Sequence, residues 1–333
     1  MTICVTGGTG FLGRHLVRNL VAEGHTVRVL SRRGWGQTEA GIEDVIGSVL
    51  DAEACHRAVQ GCEQVFHLAG KVSRDPDDAG ELMRLHVEGT RTLFGCCKAA
   101  GVGRVIYLST SGTIGVNTEI DRMATEEDDY PIDLVRRWPY YLSKVYAEQE
   151  ALRWFKESDL PVICLNPSLI LGPGDDEGSS TGDVERFLKG LVPMVPRGGM
   201  SFVDVRDVVD ACKAAMTRGR PGQRYLLTGC NTPLRTFFLD VARMSGRPAP
   251  LFNAPDRLTR WTSSLLEKVG TFGSSWLPLN HIDLEIATHG WYVSSDKARA
   301  ELGFAPRDPN ETLRDTIDDV NDRIEKTRVS KKW

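Results

Sequence analysis

The chain has 333 residues, 41% hydrophobic and 26% charged, with a formal net charge of −4. That is the balance of a globular protein large enough to bury a sizeable core. It offers no electrostatic footprint for a nucleic-acid partner, and no stretch reaches the roughly 18 apolar residues of a membrane-spanning helix.

Met1-Thr-Ile-Cys-Val-Thr-Gly-Gly8 lacks the basic and apolar regions of a secretory leader. None of the eight cysteines forms a Cys-x-x-Cys pair, and the seven histidines have no metal-ligand spacing. The expectation is free thiols in a reducing cytoplasm and no metal.

Taken in chain order, short β-branched runs alternate with longer helical patterns, the rhythm of a parallel sheet with crossover helices. The predicted strands of the first half are Ile3–Thr6, Thr26–Leu30, Asp44–Ile46, Gln64–His67, Arg104–Ser109 and Pro161–Asn166. The predicted helices between them are Phe11–Glu23, Ala52–Gln60, Glu81–Ala100 and Tyr140–Lys156. A cluster of turn formers, Gly172 to Gly182, follows. Two further strands, Phe202–Val205 and Arg224–Thr228, flank a helix over Asp207–Thr217. From Leu234 onwards the pattern is mostly helical. The fold class read from this is α/β: a doubly wound parallel Rossmann sheet, with a smaller, mostly helical substrate lobe. The dinucleotide-binding domain takes 1–165 plus 203–230, and the lobe takes 166–202 plus 231–333.

Val5-Thr-Gly-Gly-Thr-Gly-Phe-Leu-Gly13 joins the first strand to the first helix. Gly7, Gly10 and Gly13, with Phe11 and Leu12 between them, suit a tight turn and the approach of a pyrophosphate to a helix N-terminus. At the end of the second strand an NAD site usually carries a carboxylate for the ribose 2′-OH. Here the chain reads Val29-Leu-Ser-Arg-Arg33. Arg32 and Arg33 would pair with a 2′-phosphate, so NADP(H) is expected, with NAD(H) as the alternative.

Tyr140 and Lys144 are four apart at the start of a helix, hence on one face. A free phenol titrates near pH 10, and a neighbouring ammonium would bring its phenolate into reach for acid/base work. Upstream, the strand Val105–Ser109 runs into Thr110-Ser-Gly-Thr113. Hydroxyls at the carboxyl end of a strand in an open α/β sheet stand where ligands gather, and Ser111 could donate to a substrate oxygen.

From Thr2 to about Phe304 the chain resembles the extended short-chain dehydrogenase/reductase family. The matching stretches are Thr6-Gly-Gly-Thr-Gly-Phe-Leu-Gly13, Val65-Phe-His-Leu-Ala-Gly70, Val87-Glu-Gly-Thr90, Ser109-Thr-Ser111, Tyr140-Tyr-Leu-Ser-Lys144, Asn166-Pro-Ser168 with Gly172-Pro-Gly-Asp175, and Phe202-Val-Asp-Val-Arg-Asp207. The resemblance implies a site in which Ser111 polarises, Tyr140 is the acid/base, and Lys144 lowers the tyrosine pKa and holds the ribose. It implies a cofactor lined by Leu68, Ala69 and Gly70, with Asn166, Pro167 and Ser168 against the nicotinamide. Ser48, Val49 and Ser109 belong to the same cofactor-side set. Arg32 is similar to the arginine that reads NADP in the dihydroflavonol-reductase-like branch. Three residues depart from the family pattern: His86 stands for a common Asn, Ser48 for a common Asp near the adenine, and Asn166 for the Arg of many sugar-nucleotide enzymes. Members are often homodimers through the helices around 81–100 and 140–156.

The substrate is a small molecule. The stretch Leu258–Leu279 is apolar and aromatic-rich. It reads as lobe core or a helix on a partner, as a pocket wall for a hydrophobic ring system, or as a surface meeting a membrane. The leading expectation is an NADP(H)-dependent enzyme interconverting a ketone and a secondary alcohol on a lipophilic, sterol-like or polycyclic compound. The alternatives are a sugar or nucleotide-sugar epimerase/dehydratase and a non-catalytic dinucleotide sensor. The tail Arg323–Lys332 carries five basic side chains. It reads as a solvated helix end or as a peripheral contact with anionic membrane.

Overall fold

The computed structural model describes residues 1–36, 38–192, 194–250, 252–253 and 281–330. The predicted apolar wall at 258–279 lies outside them, as does the end of the basic tail.

Seven parallel strands form the central sheet: β1 (Thr2–Thr6), β2 (Thr26–Ser31), β3 (Ile42–Ile46), β4 (Gln64–His67), β5 (Arg104–Leu108), β6 (Val162–Pro167) and β10 (Arg224–Leu227). Their order is β10-β6-β5-β4-β1-β2-β3, so the direction of winding reverses between β1 and β4. In a doubly wound sheet that reversal opens a crevice at the carboxyl ends of the strands. β1, β5 and β6 are buried almost throughout, which is why they read as continuous apolar runs.

Helices cover both faces. α1 (Phe11–Ala22) and α8 (Val205–Thr217) close one core, which contains Val5, Leu16, Val29, Ile106 and Val208. α2 (Ala52–Val59), α4 (Gly89–Ala99) and α6 (Pro139–Ser158) close the other, around Cys4, Ala58, Phe94, Val105 and Ala151. All eight cysteines are free thiols. Burial pushes Cys4, Cys97 and Cys164 well above the ordinary thiol range, so they behave as small hydrophobes. Among the described residues no helix is long and apolar enough to cross a membrane.

Two sequence expectations are corrected. The predicted single helix over Glu81–Ala100 is interrupted: α3 (Ala79–Met83) runs into a π-helical turn, Arg84–Glu88, before α4. The inserted residue turns His86 inwards, where it is buried and hydrogen-bonded, and such insertions are common at functional sites. The strand predicted at Phe202–Val205 is β9 (Gly199–Asp204), and it does not join the large sheet. It pairs in parallel with β7 (Leu169–Leu171) and antiparallel with β11 (Cys230–Pro233) in a small sheet. That sheet supports the lobe core of Phe187, Phe202, Phe237, Phe238 and Leu313, from α7 (Gly182–Leu188), α9 (Leu234–Ser245) and the C-terminal helix Pro309–Ser330.

One ionic clamp fixes the lobe to the sheet domain. Asp204 is buried and caps α8 by accepting from the Arg206 N–H at 2.8 Å. The Arg206 guanidinium grips the same carboxylate at 2.8 and 2.8 Å and reaches Asp315 of the C-terminal helix at 2.7 Å. Arg307 binds Asp207 at 2.9 Å and approaches Asp204 at 3.6 Å. Burial opposes ionisation of Asp204, but the bonds from Arg206 and the charge of Arg307 outweigh it and hold the carboxyl below its usual range. A carboxyl depressed on folding stabilises at pH values above about 3.9, and that contribution disappears as the pH falls through the folded value. Asp204→Asn should therefore lower stability by about 2 kcal/mol at pH 7, since Arg206 and Arg307 are partly screened by solvent. The loss should shrink in acid, as followed by chemical denaturation. An unchanged midpoint at pH 7 would show that the clamp adds nothing.

Candidate active site

The glycine turn is a cradle that side chains would fill. Gly7 has φ +69°, and a Cβ there would lie 2.7 Å from the Ala69 nitrogen of the loop after β4. At Gly13 a Cβ would lie 2.2 Å from the Gly7 carbonyl oxygen. Gly10 is the exposed N-cap of α1, and no side chain bonds to the cap. The first turn of α1, at Phe11, Leu12 and Gly13, presents its N–H groups to the crevice.

Beside it, the chain leaves β2 in a bend held by the Gly34 N–H on Ser31 Oγ at 2.9 Å and the Trp35 N–H on Asp44 at 2.8 Å. Arg32 and Arg33 stand exposed on that bend, and neither pairs with a carboxylate among the described residues. Ser48 and Val49 follow β3, with Val49 buried against Gly89. Leu68 and Ala69 are half-buried at the loop after β4, and Gly70 is exposed.

Two imidazoles link the glycine side of the crevice to the tyrosine helix. The Thr90 hydroxyl donates to the His86 carbonyl oxygen at 2.6 Å, so it accepts from His67 Nε2 at 3.0 Å. His67 Nδ1 then accepts from the Thr6 hydroxyl at 2.8 Å, and that oxygen accepts from the Ala69 N–H at 3.2 Å. His86 has the opposite tautomer. Its Nε2 accepts from the Lys71 N–H at 3.1 Å, and its Nδ1–H donates at 2.8 Å to Ser143 Oγ, whose proton goes to the Tyr140 carbonyl at 2.7 Å. Burial, reinforced by Lys144, pulls His67 down to about 3 and His86 to about 2. Both rings are neutral at physiological pH, as these bonds require.

Tyr140 and Lys144 lie on one face of α6. Tyr140 is half-buried, with its ring edge-on to His86 at 5.9 Å and to Tyr141 at 5.1 Å. Burial, then the neighbouring Tyr141, push its phenol above the ordinary range. The Lys144 ammonium is buried and donates to the Leu108 carbonyl at 2.7 Å and to Tyr107 OH at 3.2 Å. No hydrogen bond joins it to Tyr140 among the described residues. Burial pulls Lys144 down to about 8, and Glu148 opposes that pull.

Ser111 opens a short 3₁₀ turn after β5, capped by the Thr110 side chain, and is buried. The adjacent Gly112 packs against Tyr141 and Trp291, where a Cβ would come within 2.3 and 3.2 Å. The Tyr141 and Trp291 rings are 4.9 Å apart, and Trp138 stacks on Trp291 at 5.9 Å. An aromatic wall therefore stands next to Ser111.

Glu148, one further turn along α6, is fully buried. Ser109 donates to it in a short hydrogen bond and Asn166 at 2.6 Å; the Thr113 hydroxyl lies 3.0 Å away and shares its one proton with the Thr110 carbonyl at 2.9 Å. Tyr130 donates to its other oxygen at 3.2 Å, and Arg224 lies 3.6 Å away. Asn166 also donates to the Thr110 carbonyl at 3.2 Å.

The residues present fit a nicotinamide dinucleotide. Besides the glycine cradle, Asn166 Oδ1 and Ser168 Oγ at the end of β6 are buried without a hydrogen-bond partner among the described residues. Such orphaned polar atoms are rare unless a ligand completes them.

A family model described as the NAD dependent epimerase/dehydratase family matches residues 3–227. The chain belongs to this family. Within it, the chain is 33% identical over 323 residues to a putative dihydroflavonol 4-reductase from Synechocystis sp., covering 94% of this chain and 92% of the relative. It is 30% identical to sterol demethylase protein B from Methylococcus capsulatus, covering 95% and 97%. The crystal structure of gox2253 superposes with a TM-score of 0.84 at 30% identity, over 96% of this chain and 98% of that one. The family identifies an NAD(P)-dependent enzyme of the extended short-chain dehydrogenase/reductase group, acting on CH–OH or C=O groups.

The spacing of Tyr140 and Lys144 extends to Glu148, but the sequence reading stopped at the lysine. It also passed over Thr6 and His67, which occupy one register of adjacent strands. Polar residues ending otherwise apolar strands were the available signal. Thr6→Val keeps the shape but strands His67 Nδ1 and the Ala69 N–H. It should destabilise the protein by about 2 kcal/mol in urea unfolding. A neutral substitution would mean that the imidazole chain contributes no rigidity.

Proposed function

We propose that this enzyme interconverts a ketone and a secondary alcohol on a lipophilic, sterol-like or polycyclic substrate, using NADP(H). The observation that carries the substrate class is the pair of half-buried rings, Tyr141 and Trp291, packed against Gly112 beside Ser111. It suits a flat apolar ring system better than a hydrated sugar diphosphate. The names of two relatives, a dihydroflavonol reductase and a sterol demethylase protein, agree with that class. In this reading the lobe formed by 166–202 and 231–333 selects the substrate, and 1–165 with 203–230 holds the cofactor.

The bound nicotinamide supplies or accepts the hydride. Gly7, Gly10 and Gly13 would admit the pyrophosphate, and the orphaned polar atoms of Asn166 and Ser168 would bond the carboxamide. Arg32, with Arg33 beside it, pairs with the 2′-phosphate. Ser111 donates to the substrate oxygen. Tyr140 gives its proton to that oxygen during reduction and removes it during oxidation. Lys144 has two of its three protons engaged by Leu108 and Tyr107. The third serves the ribose, and the charge stabilises the Tyr140 phenolate through space.

Tyr140→Phe should cut the NADPH-dependent reduction of 3-ketosteroid or dihydroflavonol ketones by roughly 100-fold or more while NADPH still binds. Retained activity would remove Tyr140 from the role. Turnover by the unaltered enzyme confined to nucleotide sugars would defeat the lipophilic assignment. Arg32→Ala should weaken NADPH by roughly tenfold or more in a fluorescence titration and leave NADH nearly unchanged. Equal losses for both would refute the 2′-phosphate contact.

A further inference from the structure

Glu148 is a carboxylate whose surroundings are built around it. It is fully buried in the middle of α6, where an isolated charge would be costly. Its hydrogen-bond partners are the hydroxyls of Ser109, Thr113 and Tyr130 and the Asn166 amide, and the Arg224 guanidinium lies within ion-pair distance. An acceptor-only group saturated by donors is what an ionised carboxylate requires. These groups come from five places: the end of β5, the turn carrying Ser111, the end of β6, β10, and the loop holding Tyr130.

The connectivity has a direction. Ser109 and Thr113 bracket Ser111, so two bonds to one Glu148 oxygen hold both ends of that turn. Asn166 gives one amide proton to Glu148 and shares the other between the Thr110 carbonyl and Thr113 Oγ1. Its carbonyl oxygen therefore has no choice but to face away, and it is the orphaned atom at the cofactor end of β6.

We propose that Glu148 is a positioning residue of the active site, which locks the Ser111 turn and the Asn166 amide to the helix that carries Tyr140 and Lys144. The inference rests on the Ser–Tyr–Lys reading above. Electrostatics adds to the geometry. The groups facing Lys144 are Glu148 on its own helix, Tyr107 on β5, Cys164 on β6, His67 on β4 and His86 on the π turn. Burial keeps both imidazoles, the Tyr107 phenol and the Cys164 thiol neutral. Arg224 and Tyr130 face Glu148 from the opposite side. Among these groups Glu148 alone offers Lys144 a negative charge to offset its burial.

Glu148→Gln keeps the shape and the acceptor for Ser109, Thr113 and Asn166 and removes the charge. The full-length enzyme, NADPH and the ketone of the panel above that it reduces fastest make the assay. The variant should melt within a few degrees of the unaltered enzyme and keep its KM for the ketone. Its kcat should fall roughly tenfold, and the alkaline limb of the reductive profile, governed by Lys144 near pH 8, should move down by about one pH unit. With no ketone present, the pH at which NADPH affinity declines, read by fluorescence, should move down equally. A folded variant with unaltered kcat and limb overturns the proposal. If Glu148→Gln does not fold, Thr113→Val carries the test. It should lower kcat without moving the limb, because the charge remains, and wild-type kcat there overturns the proposal. Tyr140→Phe run in parallel separates the two ideas: if it is active, the Ser–Tyr–Lys reading fails. If it is inactive while Glu148→Gln is normal, only the role of Glu148 fails.

Discussion

Two neutral imidazoles of opposite tautomer, His67 and His86, are the constraint on which the rest of this structure depends. They connect Thr6 at the end of β1 to the backbone of Tyr140 at the start of α6 through bonds in which each donor has one acceptor. The chain crosses a low-dielectric interior, where a protonated ring would be expensive and an unpaired nitrogen nearly as costly. Burial resolves this by driving both histidines far below neutrality. The glycine turn and the tyrosine helix lie on different strands and helices, and this relay ties them together.

The relay also explains the break in the helix before α4. A regular helix across 81–100 would present its apolar stripe to the sheet with no polar side chain at this depth. Within the π-helical turn His86 is buried, and Thr90 Oγ1 bonds back to its carbonyl four residues earlier. Local hydrogen-bond regularity is sacrificed for a buried polar contact, and Gly89 lets the turn press against Val49.

Much of this architecture was legible in the amino-acid sequence, because parallel strands buried on both faces leave unmistakable apolar runs and their crossovers carry a 3.6-residue period. The ends of β4 and α1 lie within a residue of their expected positions. The π turn was not legible, since one inserted residue hardly disturbs that period. The placement of β9 was not legible either. A buried strand beside a helix looks the same whether it joins the large sheet or a small one, and the choice rests on pairing with Leu169–Leu171 and Cys230–Pro233 far along the chain. In the site, the spacing of Tyr140 and Lys144 was visible, but which strand ends meet the third member of that face, Glu148, depends on tertiary contacts that no spacing encodes.

Burial acts on Tyr140 and Lys144 in opposite senses, raising the phenol and lowering the ammonium, because each is disfavoured in its charged form. The protein without cofactor therefore rests with the proton on Tyr140 and with Lys144 cationic at neutrality but losing its charge near pH 8. In the proposed reaction such a phenol is a donor in waiting: it would release its proton as negative charge develops on the substrate oxygen, and that charge would meet donors already fixed in place rather than water that must reorganise. Glu148 sustains this arrangement from beneath by holding the ammonium charged against its burial. Reactivity at the surface of the crevice thus depends on a carboxylate that never reaches it.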